Sequence, residues 1–259
     1  MKFDKEHWKE LDINVDSLWM IGPRAKGGKR ENNYHGNFVP QIPDQMIRRY
    51  TDDDGIVLDM FMGSGTTLFE AETLKRPYIG FDINDEIIES VQNKMEGSNA
   101  KFYIHNCDIT NTEEVSFALS DDIVKLQNTG VDLVMSHPPY LDIVKFTDKS
   151  EDLSNISDVD TFTELYIKGV KNVWPFLKKN KYFVLVIGDL WRNGEVIPLG
   201  FHLMNAIKTS VKCQLKGIVI KDIIGNRGKI GSEAIWRYRA LKSDNFLFKH
   251  EYVFVFKKI

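Results

Sequence analysis

The chain has 259 residues, of which 42% are hydrophobic and 27% charged. That is the make-up of a core-forming protein, not of a disordered, collagen-like or membrane-spanning one. Its 34 lysines and arginines against 37 aspartates and glutamates leave a formal net charge of -3. No global positive field draws in a polyanion, so any nucleic-acid contact must rest on local clusters. The cysteines, Cys107 and Cys213, are too few and too far apart for a disulfide framework or a thiolate-built zinc site. The charged start, MKFDKEHWKELD, lacks a signal-peptide core, and no stretch approaches about 18 uninterrupted apolar residues. The expectation is a cytoplasmic protein without membrane association.

From residue 55 onward, strand-like and helix-like segments alternate. Gly55 to Phe61 is a short apolar run that ends in a Gly/Ser turn, and Thr67 to Lys75 then has helical character up to Pro77. Tyr78 to Ile83 predicts a second strand, and Asp85 to Met95 a helix with acidic residues in its first turn, where the macrodipole favours them. Lys101 to Asn106 and Val131 to Ser136 predict the third and fourth strands. Asp160 to Lys179 carries apolar residues at helical spacing and leads into a fifth strand, Tyr182 to Ile187. Pro198 to Thr209 predicts a helix, and Gln214 to Lys221 with His250 to Lys257 an antiparallel closing hairpin. A repeated βα pattern of this kind predicts an α/β fold with a doubly wound, Rossmann-like sheet. Residues 1–54 and 222–249 fit the pattern poorly and are expected to be appendages to a domain spanning 55–259.

The strongest local signal is Asp59-Met60-Phe61-Met62-Gly63-Ser64-Gly65-Thr66-Thr67, where the first strand hands over to the first helix. In open α/β sheets ligands bind at the carboxyl ends of the strands, and glycines let a ligand approach the backbone. Asp82, with Ile83 after it, ends the second strand, where a carboxylate can accept both hydroxyl hydrogens of a ribose. The turn lacks the lysine of a phosphate-binding loop and the third glycine of a dinucleotide fold, which favours adenosine without a pyrophosphate. Asp108, followed by Ile109, offers an acceptor for an adenine amine or, equally, a helix N-cap.

The second signal is Ser136-His137-Pro138-Pro139-Tyr140 after the fourth strand. Two prolines fix φ and remove two N–H donors, leaving directed carbonyl acceptors with an aromatic surface beside them. No paired histidine spacing predicts a metal site.

Together these residues resemble the S-adenosylmethionine-dependent amino-methyltransferases, most closely those acting on adenine N6 or cytosine N4 of DNA. The resemblance covers most of residues 34–259. It includes Tyr34 to Pro40, similar to a family segment that packs over the methionine end of the cofactor, and His250-Glu251-Tyr252, similar to the closing strand. It implies a seven-stranded methyltransferase sheet, with residues 1–54 covering the cofactor site and 222–249 acting as a target-recognition insertion. It implies a cofactor site of Phe38, Pro40, Asp59, Phe61, Gly63, Ser64, Gly65, Thr66, Asp82, Ile83, Asp108 and Ile109. It also implies a catalytic loop of Ser136, His137, Pro138, Pro139 and Tyr140 that receives a base flipped out of the duplex.

The family has Asp, Asn or Ser before the two prolines; this chain has His137, with Ser136 one residue earlier. A neutral imidazole retains one acceptor nitrogen and can do the same work; alternatively Ser136 acts through a shifted loop, or the site is impaired. Arg24, Lys26, Lys29 and Arg30 form one basic stretch, and Arg227, Lys229, Arg237 and Arg239 a second, both read as DNA-backbone contacts. The acidic segment 141–160 reads as a flap near the base pocket, and Asp189 to Arg192 as a lining of the target cleft. Expected partners are DNA, with structured RNA or an inactive-subunit role as alternatives, and a cognate restriction enzyme or partner subunit.

Overall fold

A computed structural model describes residues 6, 8–30, 34, 36–224, 231 and 233–259. The elements in chain order are β1 (Leu18–Trp19), α1 (Gln41–Tyr50), β2 (Val57–Asp59), α2 (Thr66–Thr73), β3 (Tyr78–Asp82), α3 (Asp85–Lys94), β4 (Phe102–Asn106) and α4 (Thr112–Lys125). They continue with β5 (Val131–Ser136), α5 (Val159–Val173), β6 (Leu177–Ile187), β7 (Leu190–Arg192), β8 (Glu195–Ile197), α6 (Leu199–Ser210), β9 (Cys213–Asp222), α7 (Glu233–Lys242) and β10 (His250–Lys258). No helix among the described residues is long and apolar enough to cross a membrane.

One mixed sheet has the order β1-β9-β10-β6-β5-β2-β3-β4. Strands β4, β3, β2, β5 and β6 run parallel; β10 runs against both β6 and β9. Among the described residues the sheet therefore has eight strands, where seven were expected. The additional one is Leu18–Trp19, which pairs in parallel with Ile220 and Lys221 and buries Trp19. Two residues are too short to show an alternating pattern in sequence.

Helices cover both faces. Buried residues of α1, α2 and α3 pack with Val57, Leu133, Val184 and Val253 on one side. Those of α4, α5 and α6 pack with Leu58, Val134, Leu185 and Phe254 on the other. Helix α1 buries Ile42, Met46 and Ile47, so residues 41–50 belong to the core layer and are not an appendage. Pro43 falls in its first turn, where backbone N–H groups lack intrahelical partners anyway. Asn84 caps α3 and Asn111 caps α4 through side-chain oxygens that accept two backbone N–H groups each. The cap of α4 is thus Asn111, and Asp108 is left for another role. A separate β7–β8 hairpin follows β6.

Because β10 is reversed, β9 ends and β10 begins at the carboxyl edge of the parallel strands, with His250 opposite Asp222 and Tyr252 opposite Ile187. The turn after β2, the ends of β3 and β4, and the loop after β5 meet at that same edge.

Candidate active site

A cavity of about 400 Å³ opens at the carboxyl edge. One wall is the turn after β2. Gly63 has φ of +50°, in the left-handed region that glycine tolerates, and a Cβ there would lie 3.5 Å from the Tyr34 ring. Its N–H donates to Asp82 Oδ2 at 2.7 Å, while Asn84 N–H donates to Asp82 Oδ1 at 2.9 Å. Asp82 is thereby fixed in orientation and keeps lone pairs for a ligand. Burial pushes its carboxyl up from the usual range, and these backbone bonds oppose the shift.

Asp108 accepts from Thr110 N–H at 2.8 Å and Thr110 Oγ1 at 2.9 Å, and it lines the same cavity. Phe38, Phe61, Ser64, Thr66, Ile83 and Ile109 complete the expected wall. Thr66 Oγ1 is buried there without a hydrogen-bond partner among the described residues, which marks a polar position a ligand can satisfy.

Pro40, Asp59 and Gly65 stand behind this wall. Pro40 starts α1. Asp59 Oδ1 accepts the Phe61 N–H at 3.1 Å and so shapes the turn; burial raises its carboxyl to about 7. A Cβ at Gly65 would meet Phe69 at 3.0 Å and Val91 at 3.1 Å, so this glycine lets α2 pack closely against α3.

The opposite wall is His137, Pro138, Pro139 and Tyr140. Ser136 is not part of it: its hydroxyl is fully buried and paired with Tyr166 Oη at 3.0 Å. The His137 ring meets Phe38 edge-on with centroids 4.9 Å apart, and its Nε2 is buried with no hydrogen-bond partner among the described residues. Burial lowers the imidazole to about 4, with Glu251 pulling it up and Lys221 pushing it down. Lys221 and Glu251 form a buried ion pair of 2.9 Å across β9 and β10. His137 is therefore a neutral imidazole at neutral pH, with an acceptor or donor nitrogen set by its tautomer.

Gly188 at the end of β6 donates its N–H to Tyr140 Oη at 2.9 Å. A Cβ at Gly188 would lie 3.1 Å from Tyr140 Cε1, so the ring fits against this position because glycine occupies it. Leu141, next in sequence and buried, has φ of +53°. A left-handed leucine is a strained backbone that packing must hold.

Sequence reasoning placed both segments of the roof near the site but not the ring pair that joins them. Tyr34 and Phe146 stack with centroids 5.7 Å apart and interplanar angle 18°, and both line the cavity. The segment with Phe146 is tied down by Asp152, which accepts Thr147 N–H at 2.9 Å, Thr147 Oγ1 at 2.8 Å and Ser154 N–H at 2.8 Å. The expected flap is thus part of the cavity wall. Asp189 is not: it accepts Gly200 N–H at 3.2 Å and Tyr252 Oη at 3.1 Å, joining α6 to β10, and Leu190–Arg192 enters the β7–β8 hairpin. Cys107 also lines the cavity, with burial raising its thiol to about 12, so it acts as an unreactive surface.

The first basic stretch does not behave as expected. Arg24, Lys29 and Arg30 all bond within the protein, whereas Lys26 is exposed. In the second stretch Arg237 and Arg239 are exposed on α7, Arg239 lying 5.2 Å from the Trp236 ring centroid; Arg227 and Lys229 lie outside the described residues.

An open α/β sheet with a cavity at the carboxyl ends of its parallel strands is the architecture of the Rossmann-like class, in which ligands bind at this edge. Residues 1–93 match the family model N6_N4_Mtase, described as DNA methylase. Among curated relatives it is 42% identical over 83 residues to the Type II methyltransferase M.HpaI of Haemophilus parainfluenzae, 32% of this chain and 26% of that one. It is 27% identical over 127 residues to M.BglI of Bacillus subtilis, 49% and 34% of the two chains. With M.ScaI of Streptomyces caespitosus it shares 28% over 90 residues, 33% and 30%. The matched stretches thus span about a third or less of these relatives' lengths.

Solved structures share the fold. SAM-dependent methyltransferases from Methanosarcina mazei superpose with TM-score 0.51 at 14% identity, over 82% of this chain and 96% of that one. The [4+2]-cyclase SpnF superposes with TM-score 0.52 at 14% identity, over 92% and 89%. A cyclase among them shows that the fold alone does not fix the chemistry.

Proposed function

We propose that the protein transfers a methyl group from S-adenosylmethionine to the exocyclic amine of an adenine or cytosine extruded from DNA. The observation that carries this reading is a shared cavity: the Asp82 carboxyl and the Pro138-Pro139-Tyr140 loop line one open cleft. Two sets of groups lining one cavity suit two substrates that must meet.

The residues present fit the cofactor. Asp82 has its orientation set by two backbone N–H groups and retains acceptor capacity for ribose hydroxyls. Asp108 offers acceptors for an adenine amine, and Phe61, Ile83 and Ile109 supply apolar surface. When bound, S-adenosylmethionine supplies an electrophilic methyl on sulfonium. Tyr140, its hydroxyl held by Gly188, stacks on the base. Acceptors at the Pro-Pro loop and, in the matching tautomer, His137 Nε2 bind the amine hydrogens and draw its lone pair out of conjugation with the ring. Pairing this group with the open Nε2 would satisfy a buried polar atom that otherwise carries a desolvation cost. Positioning and preorganised polar groups then supply the acceleration.

DNA contact in this reading falls to the 223–249 connection, which leaves the sheet at the cavity edge and carries exposed Arg237 and Arg239 on α7. The test is transfer of labelled methyl to DNA, with base-resolved sequencing of DNA from an expressing host to read both base and site. Cofactor binding without transfer to any DNA would refute the reading.

A further inference from the structure

Three cations that look like a nucleic-acid footprint in sequence have other partners in the fold. The Arg24 guanidinium donates to the Phe38 carbonyl at 2.6 Å and to Asn37 Oδ1 at 3.2 Å, and lies 3.4 Å from the Arg30 carbonyl. Arg30 forms a two-bond ion pair with Glu70 of α2, Nε to Oε1 at 2.6 Å and Nη2 to Oε2 at 2.7 Å, and the Glu70 side chain is fully buried. Lys29 bonds both carboxylate oxygens of Glu72, at 2.6 and 2.7 Å, and Ser98 Oγ donates to Glu72 Oε1 at 2.6 Å.

These contacts form one chain of anchors. Helix α2, which starts at the Gly-rich turn, holds Arg30; the Arg30 backbone meets Arg24; and Arg24 holds Asn37 and Phe38, which line the cavity. Phe38 in turn packs edge-on against His137. A planar guanidinium suits this work because it can serve several acceptors at fixed angles, which an ammonium cannot.

We propose that Arg24, Lys29 and Arg30 are positioning residues, an internal latch that holds the 36–38 strap against the cavity for cofactor retention, and are not contacts for a nucleic-acid backbone. The inference rests on the proposed function for the identity of the cofactor. Its mechanical part does not.

Two variants separate latch from footprint. Arg24→Lys keeps the charge but loses the multiple fixed donors. Glu70→Gln alters a side chain that solvent never reaches, and leaves Arg30 free to turn outward. The full-length protein is titrated with S-adenosylhomocysteine, bound to a mixed-sequence duplex across a potassium chloride series, and followed by amide exchange at residues 36–39 without ligand. The latch requires faster exchange at 36–39 in both variants and about tenfold weaker cofactor binding. It also requires that Arg24→Ala leave the salt slope of duplex binding as in wild type.

Unchanged exchange and unchanged cofactor affinity in both variants would overturn the latch. So would a salt slope reduced by about one unit in Arg24→Ala, the mark of a lost phosphate contact. If wild type binds the cofactor but no duplex, the DNA reading fails while exchange and cofactor affinity still judge the latch. If wild type binds no cofactor, the proposed function and the cofactor role fall together, and exchange alone judges the mechanical anchor.

Discussion

The two walls of the cavity are built differently. On the side of the Gly-rich turn the carboxylates are already held: Asp82 by two backbone N–H groups, Asp108 by Thr110. On the side of the Pro-Pro loop, His137 presents a nitrogen with no partner among the described residues, and Tyr140 is held through one hydrogen bond at its far end. The difference teaches that the carboxyl groups of the first wall are oriented in advance, with only Thr66 Oγ1 of the groups described there lacking a partner, while the second wall leaves the His137 nitrogen open. Loss of a side chain should therefore act on affinity at the first wall and on turnover at the second.

The largest expected effect is at Tyr140. Tyr140→Ala removes the stacking surface, worth about 1–3 kcal/mol per base, so transfer should fall about 10- to 100-fold while calorimetric affinity for S-adenosylhomocysteine holds. Equal loss of both would erase the distinction between the walls. Next is Asp82→Ala, which removes a carboxyl acceptor and should weaken cofactor binding about tenfold or more. At saturating cofactor its turnover should recover most of the wild-type rate.

Gly188→Ala sharpens the comparison from outside the cavity. The new methyl must displace the Tyr140 ring, and transfer should drop about tenfold, since small misplacements of reacting groups are costly. Cofactor affinity should not change, and Gly188→Ala with Tyr140→Ala should be no worse than Tyr140→Ala alone.

A smaller effect concerns pH. With His137 lowered to about 4, the imidazole stays neutral as pH falls from 8 to 5, and turnover should show no inflection from this group near 6.5. The charged groups acting on it are Glu251, which raises it, and Lys221, which lowers it. Lys221→Met should thus move an inflection upward, toward the accessible range. An inflection near 6.5 in wild type that vanishes in His137→Asn would contradict the shielded imidazole.

The last effect is on stability and is read on a separate scale from transfer. Asp59, raised to about 7 by burial, keeps its proton in the folded chain while the unfolded chain releases it from about pH 4 upward. The folded state binds the extra proton, so this residue's contribution to stability falls as pH rises from about 4 to 7. Denaturant midpoints at pH 5 and 8 should differ less in Asp59→Asn than in wild type.

The βα alternation after residue 55, the Gly-rich turn and the Pro-Pro-Tyr loop were legible because each is local: a few consecutive residues determine a strand end, a turn or a fixed φ. What was not legible depends on distant pairing. Tyr140 meets Gly188 across 48 positions, Tyr34 meets Phe146 across more than a hundred, and Arg30 finds Glu70 on a helix. A basic run reads the same in sequence whether its charges face solvent or a buried carboxylate. Helix α1 escaped notice because Pro40 and Pro43 break its apparent pattern, although both occupy the start of the helix, where proline is tolerated.

The reversal of β10 has an evolutionary consequence. Any polypeptide spliced between β9 and β10 emerges beside the cavity mouth, far from the ladder that β2, β3 and β4 build. A lineage can lengthen, shorten or exchange that connection without re-optimising the nucleoside half of the protein. On the proposed function, target preference would then change by grafting, on a scaffold that stays as it was.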